Sequence, residues 1–202
     1  MPRAAAAPPP PLLALGAALL LAGCVAAAPP PTARLPNDAV IGAGDPTRAA
    51  ILGSAYAFGH PGSIAGRPDA AARAAAQVEY LAAEIPVGPR WVEYSPIVGS
   101  ELRGARDELR GALGIASAAP SQAVVDSLYA AARALQRGDE AAAEAALRQP
   151  YVADGRATLL RLASLPALPR TITATALTQQ ELVRVDQDSR FGGAGANDGG
   201  KN

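Results

Sequence analysis

Residues 95–114 read SPIVGSELRGARDELRGALG. Ser95 suits a helix N-cap and Pro96 the first helical position. Val98, Leu102, Ala105, Leu109 and Ala112 then recur at alternating steps of four and three, the spacing of one apolar helix face. Glu101, Arg103, Arg106, Asp107, Glu108 and Arg110 fill the other side. Gly104 and Gly111 each cost about 1 kcal/mol of intrinsic helicity against alanine. A neighbouring helix crossing close at those points would explain them.

The same period extends in both directions. Upstream, Asp45 and Pro46 open a helix through Phe58, with Ile51, Leu52, Ala55 and Phe58 on one face and Gly59 to end it. A second helix spans 68–84 with Ala71, Ala74, Ala75, Val78, Leu81 and Ala82 as its buried side, and Pro86-Val87-Gly88-Pro89 breaks it. Downstream, Val124, Leu128, Ala131 and Leu135 mark a helix over 121–137. Gly138 and Asp139 separate it from a short one over 140–148, and Asp154 caps another through Leu165. Residues 170–177 alternate threonine with Ile172, Ala174 and Ala176, so they read as either extended or helical. The capping-box pattern Thr178-Gln179-Gln180-Glu181 then opens a last helix through Asp186. The fold class expected is all-α: a single small domain of about six to seven helices over 41–187. Gly-rich residues 188–202 are expected to be a disordered tail. Alanine supplies much of the apolar content and aromatics only 4%, so the core is light and depends on close helix approach. The stretch 134–147 is similar to the helical hairpin of tetratricopeptide repeats. No second copy follows at about 34 residues, as an array requires, so it reads as an ordinary helical hairpin.

The N-terminus has a different character. Arg3 is followed by an Ala/Pro spacer and then an apolar run from Leu12 to Ala22 that contains Leu12, Leu13, Leu15, Leu19, Leu20 and Leu21. That is too short for an ordinary membrane span of ~20 residues and suits the ~7–15-residue core of a signal peptide. The run closes on Leu21-Ala22-Gly23-Cys24, and Cys24 is the chain's one cysteine. These residues resemble the lipobox of bacterial lipoprotein precursors. The resemblance implies a signal peptide over 1–23, cleavage before Cys24, and diacylglycerol on the Cys24 sulfur. It also implies a further acyl chain of the palmitate kind on the new amino group. Two or more chains hold a protein stably on a leaflet. The Pro-rich stretch 24–40 would be a tether reaching some 50–60 Å at ~3.1 Å per residue. The resemblance also implies sorting by the residue after the cysteine, and Val25 there, rather than Asp, implies an outer membrane, facing the periplasm, over the inner one.

Composition narrows the chemistry. The 18 basic and 18 acidic residues balance, so no global field draws nucleic acid. With one cysteine there is no internal disulfide and no Cys-based zinc site. The lone histidine, His60, lies in a Gly-His-Pro-Gly turn. Glu93 and Glu101 are the carboxylates a hydrolase reading would use, with solvated charge as the plainer account. Gly42-Ala43-Gly44 could form an anion nest, though no Walker lysine follows, and a plain loop is the preferred reading. Tyr80, Trp91 and Tyr94 are the densest aromatic group, either core filling or the lining of a groove. Arg103, Arg106 and Arg110 form a stripe that could meet phosphate or a partner's carboxylates, with a solvated face as the plainer account. The function expected is a membrane-anchored, non-enzymatic interaction or assembly module of the envelope. Its partner would be an envelope protein or small ligand, and its only prosthetic group the lipid on Cys24. The alternatives are a ligand-binding lipoprotein with a hydrophobic or glycan-sized pocket near Trp91 and, last, a carboxylate-dependent envelope hydrolase. Intact mass and membrane fractionation of the native protein beside Cys24→Ala test the anchor. The wild type should be shortened, acylated and membrane-bound, and the variant unacylated and released.

Overall fold

Helix α2 (Pro68–Glu84) has no solvent face over its second half: every residue from Ala74 to Ala83 is buried. The computed structural model describes residues 32–40, 44–148 and 151–192. Around α2 stand α1 (Pro46–Gly59), α3 (Pro96–Leu113), α4 (Ser121–Gln136) and α6 (Gly155–Ala163). Short α5 (Glu140–Ala146) joins α4 to α6, and α7 (Pro169–Gly192) lies across α1 and α3. The protein is all-α: the described residues contain seven α-helices and no strand, only a lone antiparallel bridge between Ile115 and Val152. None of these helices is long and apolar enough to cross a membrane.

Small side chains make this arrangement possible. Ala71, Ala72, Ala74, Ala75, Ala76, Ala82 and Ala83 are all buried in α2, so neighbouring helices can approach it from several directions. One consequence departs from the sequence reading. Arg110, read as part of a solvated face, is 4% exposed, and Glu79 on α2 is 3% exposed. They form a bidentate pair, with Arg110 Nε donating to Glu79 Oε2 at 3.0 Å and Nη2 to Oε1 at 2.5 Å. The third guanidinium nitrogen, Nη1, donates to the Ser117 carbonyl at 2.6 Å. A helix enclosed by neighbours has no polar side to offer, so its acid must find a partner inside.

Aspartate caps fix three helix N-termini. Asp45 accepts from the Thr47 and Arg48 N–H groups, Asp139 from Ala142 and Asp154 from Ala157, as their positions suggest. The Ser95 side chain makes no cap bond. Helix α3 stops at Gly114, whose φ of 74° is costly for any residue with a Cβ. Its last carbonyl, Leu113, accepts from Thr158 Oγ1 at 2.8 Å and Arg161 Nη1 at 3.2 Å, both on α6.

The C-terminal segment resolves differently from its alternation. Residues 170–177 are helical, and Thr178 opens nothing because it lies inside α7. Thr171, Ala174, Thr175, Thr178 and Leu182 are the buried positions, a helical spacing hidden inside an alternating one. Thr175 and Thr178 donate their hydroxyls to the Thr171 and Ala174 carbonyls at 2.8 and 2.7 Å, so the buried hydroxyls are satisfied. Glu108 on α3 caps α7, accepting from the Arg170 and Thr171 N–H groups and from Thr171 Oγ1. Gly104 leaves room for the Arg170 guanidinium. Nothing lies within 4 Å of where a Gly111 Cβ would be, so the close crossing expected there is absent. Helix α7 runs through Gly192, past the expected domain end at 187; the remainder of the expected tail, 193–202, lies outside the described residues.

The tether expected over 24–40 is in contact with the domain where it is described. Ala33 and Ala39 are buried. The Arg34 N–H donates to Gln122 Oε1 at 2.7 Å, and Arg133 Nε donates to Asp38 Oδ2 at 2.6 Å. Both partners are on α4, so residues 32–40 form a strap along that helix.

Breaking a buried pair by removing one partner typically costs about 3–5 kcal/mol. Glu79→Ala should therefore lower unfolding free energy by about that amount in urea titration, while Glu79→Met with Arg110→Leu together should cost less than the single change.

Candidate functional site

At the end of α2 the chain turns sharply through Ile85-Pro86-Val87-Gly88 and a 3-10 turn, Pro89–Trp91. Gly88 is required for the close approach: a Cβ there would lie 2.6 Å from Glu84 Oε1 and 2.7 Å from Trp91 Cδ1. Trp91 consequently folds back onto α2, and its Nε1 donates to Glu84 Oε1 at 3.3 Å. Tyr94 meets it edge-on, with centroids 5.2 Å apart and planes at 73°. The Arg90 guanidinium lies 5.0 Å from the Trp91 ring centre and pairs with Asp45. Gly99, one turn into α3, sits against Pro86, where a Cβ would come within 3.2 Å of Cγ.

Helix α7 holds this corner from behind. Ser95 donates its N–H to Glu181 Oε2 at 3.3 Å. Arg184 Nη2 donates to the Glu93 carbonyl at 2.6 Å and to Glu181 Oε2 at 2.7 Å. The Arg184 hydrogen bond keeps the Glu181 carboxyl below its ordinary value.

A cleft of about 320 Å³ opens between these pieces, lined by Ile85, Pro86, Trp91, Tyr94, Gly99 and Arg103 among others. The Tyr94 hydroxyl is buried without a hydrogen-bond partner among the described residues, and burial pushes its phenol up to about 12. Arg103 is exposed and makes no ion pair among the described residues. Val92 in the cleft lining is 79% exposed, and Val87 on the same connection and Ile97 at the start of α3, each next in sequence to a lining proline, are 46% and 55% exposed.

The structure thus divides the residues singled out from the sequence. Trp91, Tyr94 and Arg103 come together. Tyr80 turns away to α1, where its hydroxyl shares a 2.7 Å hydrogen bond with Thr47 Oγ1, and burial raises its phenol. The arginine stripe does not exist as one face: Arg106 bonds Asp107 at 3.3 Å and Arg110 is committed to Glu79. Leu21, Ala22, Gly23 and Cys24 lie outside the described residues, as do Gly42 and Ala43 of the expected anion nest. Asp45 already occupies the N-terminus of α1. His60 is exposed, stacked on Tyr56 at 4.7 Å, with its Nδ1 3.0 Å from the Tyr56 carbonyl. Neither Glu93 nor Glu101 lines the Trp91 cleft. Among the described residues no group of three or more His, Cys, Asp or Glu side chains is placed to hold a metal.

Sequence reasoning missed a cleft of about 430 Å³, lined by Phe58, Ile64, Leu165, Leu168 and Ile172 among others, with no charged side chain. Each of its two walls is a proline-bearing break, at Pro61 and Pro166, visible in the sequence. Their apposition, sealed where Gly66 donates its N–H to the Ala163 carbonyl at 3.0 Å, is a long-range property with no local signal. No protein-family model, curated protein or solved structure matches the chain.

An unpartnered buried hydroxyl costs about 1–3 kcal/mol, so Tyr94→Phe should raise stability by roughly 1 kcal/mol in denaturant titration. The wild type binds the phenolic proton more tightly folded than unfolded. Its stability is therefore intact below pH ~10 and falls as pH rises toward 12, by at most about 1.4 kcal/mol per pH unit. The alkaline loss should be smaller in Tyr94→Phe.

Proposed function

We propose that this protein is a lipid-anchored, non-enzymatic interaction module of the cell envelope, and that its partner docks on the corner around Trp91. The observation that carries the reading is the exposure of Val87, Val92 and Ile97 beside a cleft containing Trp91 and the uncommitted Arg103. Clustered exposed apolar side chains mark interaction surfaces, and Trp, Tyr and Arg dominate binding energy where surfaces meet. The anchor rests on Leu21-Ala22-Gly23-Cys24, and Val25 favours the outer membrane, facing the periplasm. The partner sought is an envelope protein whose contact patch is apolar with a carboxylate placed for Arg103.

A photocrosslinking residue at Val92, compared with one at the exposed Arg156, tests this in the native envelope. Val92 should give a discrete adduct that Arg156 does not, and Ile97→Glu should weaken it. Identical adduct patterns at the two positions would remove the basis of the reading.

The cleft beside Trp91 favours one second reading, a small glycan or muropeptide bound there. Trp91 is the chain's one tryptophan, so its emission reports this site alone. Muropeptide pools should shift it saturably, and a flat titration would exclude the second reading without touching the first.

A further inference from the structure

Among the described residues eight large apolar side chains are exposed, and Val87, Val92 and Ile97 are three of them. The other five, Leu52, Tyr56, Leu160, Ile172 and Val183, are spread over α1, α6 and α7. Apolar residues exposed singly are ordinary on a protein surface, and a group of them is not. Val92 lines the corner cleft, and Val87 and Ile97 each follow a proline, Pro86 and Pro96, that lines it. The segments that carry them adjoin, because α3 packs at Gly99 against Pro86. The charges nearby offset one another: Arg90 is paired with Asp45, and the exposed Glu93 and Arg103 are of opposite sign. A surface of this kind is recognised by its aliphatic side chains and not by a net charge.

Where the strap is fastened bears on what covers these side chains. Gln122, at the start of α4, accepts from the Arg34 N–H at 2.7 Å and donates its Nε2 to the Arg34 carbonyl at 3.2 Å. Arg73, in the first half of α2, lies over the Tyr129 ring in the second half of α4. Arg110 joins Glu79, in the second half of α2, to Ser117, just ahead of α4. The start of α4 therefore lies beside the end of α2, where the Trp91 corner begins. Residues 24–31 alone separate Cys24 from the strap, roughly 25–30 Å when extended. A lipidated Cys24 keeps the corner within that reach of its leaflet.

Resting on the anchor reading, we infer that Val87, Val92 and Ile97 lie in the headgroup layer of the phospholipid leaflet that holds Cys24. Three partly exposed aliphatic side chains offer too little area to hold a free protein on a membrane. Anchoring removes that demand, because the second contact becomes intramolecular, at an effective concentration of the order of millimolar for a short linker. The headgroup layer suits the corner: aliphatic side chains bury among the acyl ends while Arg90, Glu93 and Arg103 stay wet. A protein partner of the corner is then met at the bilayer surface and takes the place of lipid there.

Nitroxide depth measurement tests the inference. Cys24 is the chain's one cysteine, so once its sulfur is acylated Val92→Cys carries a single free thiol. Leu160→Cys is the control: Leu160 is exposed one turn before Ala163, whose carbonyl accepts from Gly66 just ahead of α2, at the far end of the bundle. Each labelled full chain is reconstituted into phosphatidylethanolamine–phosphatidylglycerol vesicles with no other protein. The label at 92 should be open to oxygen dissolved in the lipid and shielded from a water-soluble nickel chelate, and the label at 160 should stay open to the chelate. Ile97→Glu, at an exposed position, should restore chelate access at 92. Raised salt should not, because aliphatic contacts are not screened. A wild-type chain that takes the label at Cys24 removes the anchor and the inference with it. A wild type that takes none, with equal chelate access at 92 and 160, overturns the lipid contact alone. Shielding at 92 that arises only in native membranes identifies a protein as the occupant and overturns it as well.

Discussion

The bidentate pair between Glu79 and Arg110 is the constraint around which the helices are arranged. Helix α2 is rich in alanine, and alanine allows neighbours on every side. A helix enclosed in that way can carry a charge only if a partner is supplied within the core, because an unpaired buried carboxylate costs several kcal/mol. Arg110 supplies it from α3, and the geometry is exacting: two donors to Glu79 and one to the Ser117 carbonyl. The pair therefore fixes the register of α3 on α2 and also the connection that leads into α4. Apolar replacement could match its stability but would not hold Ser117.

The remaining charges of α3 extend the same logic. Glu108 caps α7, and Gly104 makes the space in which Arg170 lies. Helix α7, so placed, returns along the domain and ties down two distant elements. Arg48 on α1 pairs with Asp186, which holds that carboxyl below its ordinary value, and Glu181 and Arg184 hold the backbone at 93–95. The Trp91 corner is thus held by α7 and, through the Arg90–Asp45 pair, by the start of α1, both far away in sequence. That rigidity lets apolar side chains such as Val92 remain exposed instead of collapsing onto the surface.

Helices α1 to α6 were legible because proline, glycine and aspartate punctuate them: Asp45, Asp139 and Asp154 make the cap bonds their positions suggest. Two kinds of feature were not. Helix α7 was obscured because Thr171, Thr173 and Thr175 alternate like a strand, while the positions that are buried, Thr171, Thr175 and Thr178, sit one helical turn apart. Threonine fits that face by bonding the carbonyl one turn back. The buried charges were obscured because periodicity assigns a polar face to every helix, and whether that face meets solvent depends on how many neighbours the helix has. The gathering of Trp91, Tyr94 and Arg103 was legible in part because one short turn carries the first two. Tyr80, close to them in sequence, points to α1, and nothing local announces it.

The strap at 32–40 changes what the proposed anchor implies. Arg73, in the first half of α2, lies 5.8 Å from the ring of Tyr129 in the second half of α4. Arg110 links Glu79, in the second half of α2, to Ser117, just ahead of α4. The two helices therefore run antiparallel, and the start of α4 lies beside the end of α2. Arg34 is hydrogen-bonded to Gln122 at that start, so the strap enters at the end of the bundle that carries Trp91. Only the chain from Cys24 to Pro31 is left to span between a lipidated Cys24 and the docked strap. Fully extended, that is roughly 25–30 Å, about half the reach expected of a tether free through Val40. An anchor at Cys24 would then hold the Trp91 corner close to the bilayer and the start of α2 away from it. On that geometry the partner proposed for the Trp91 corner belongs to the layer next to the membrane.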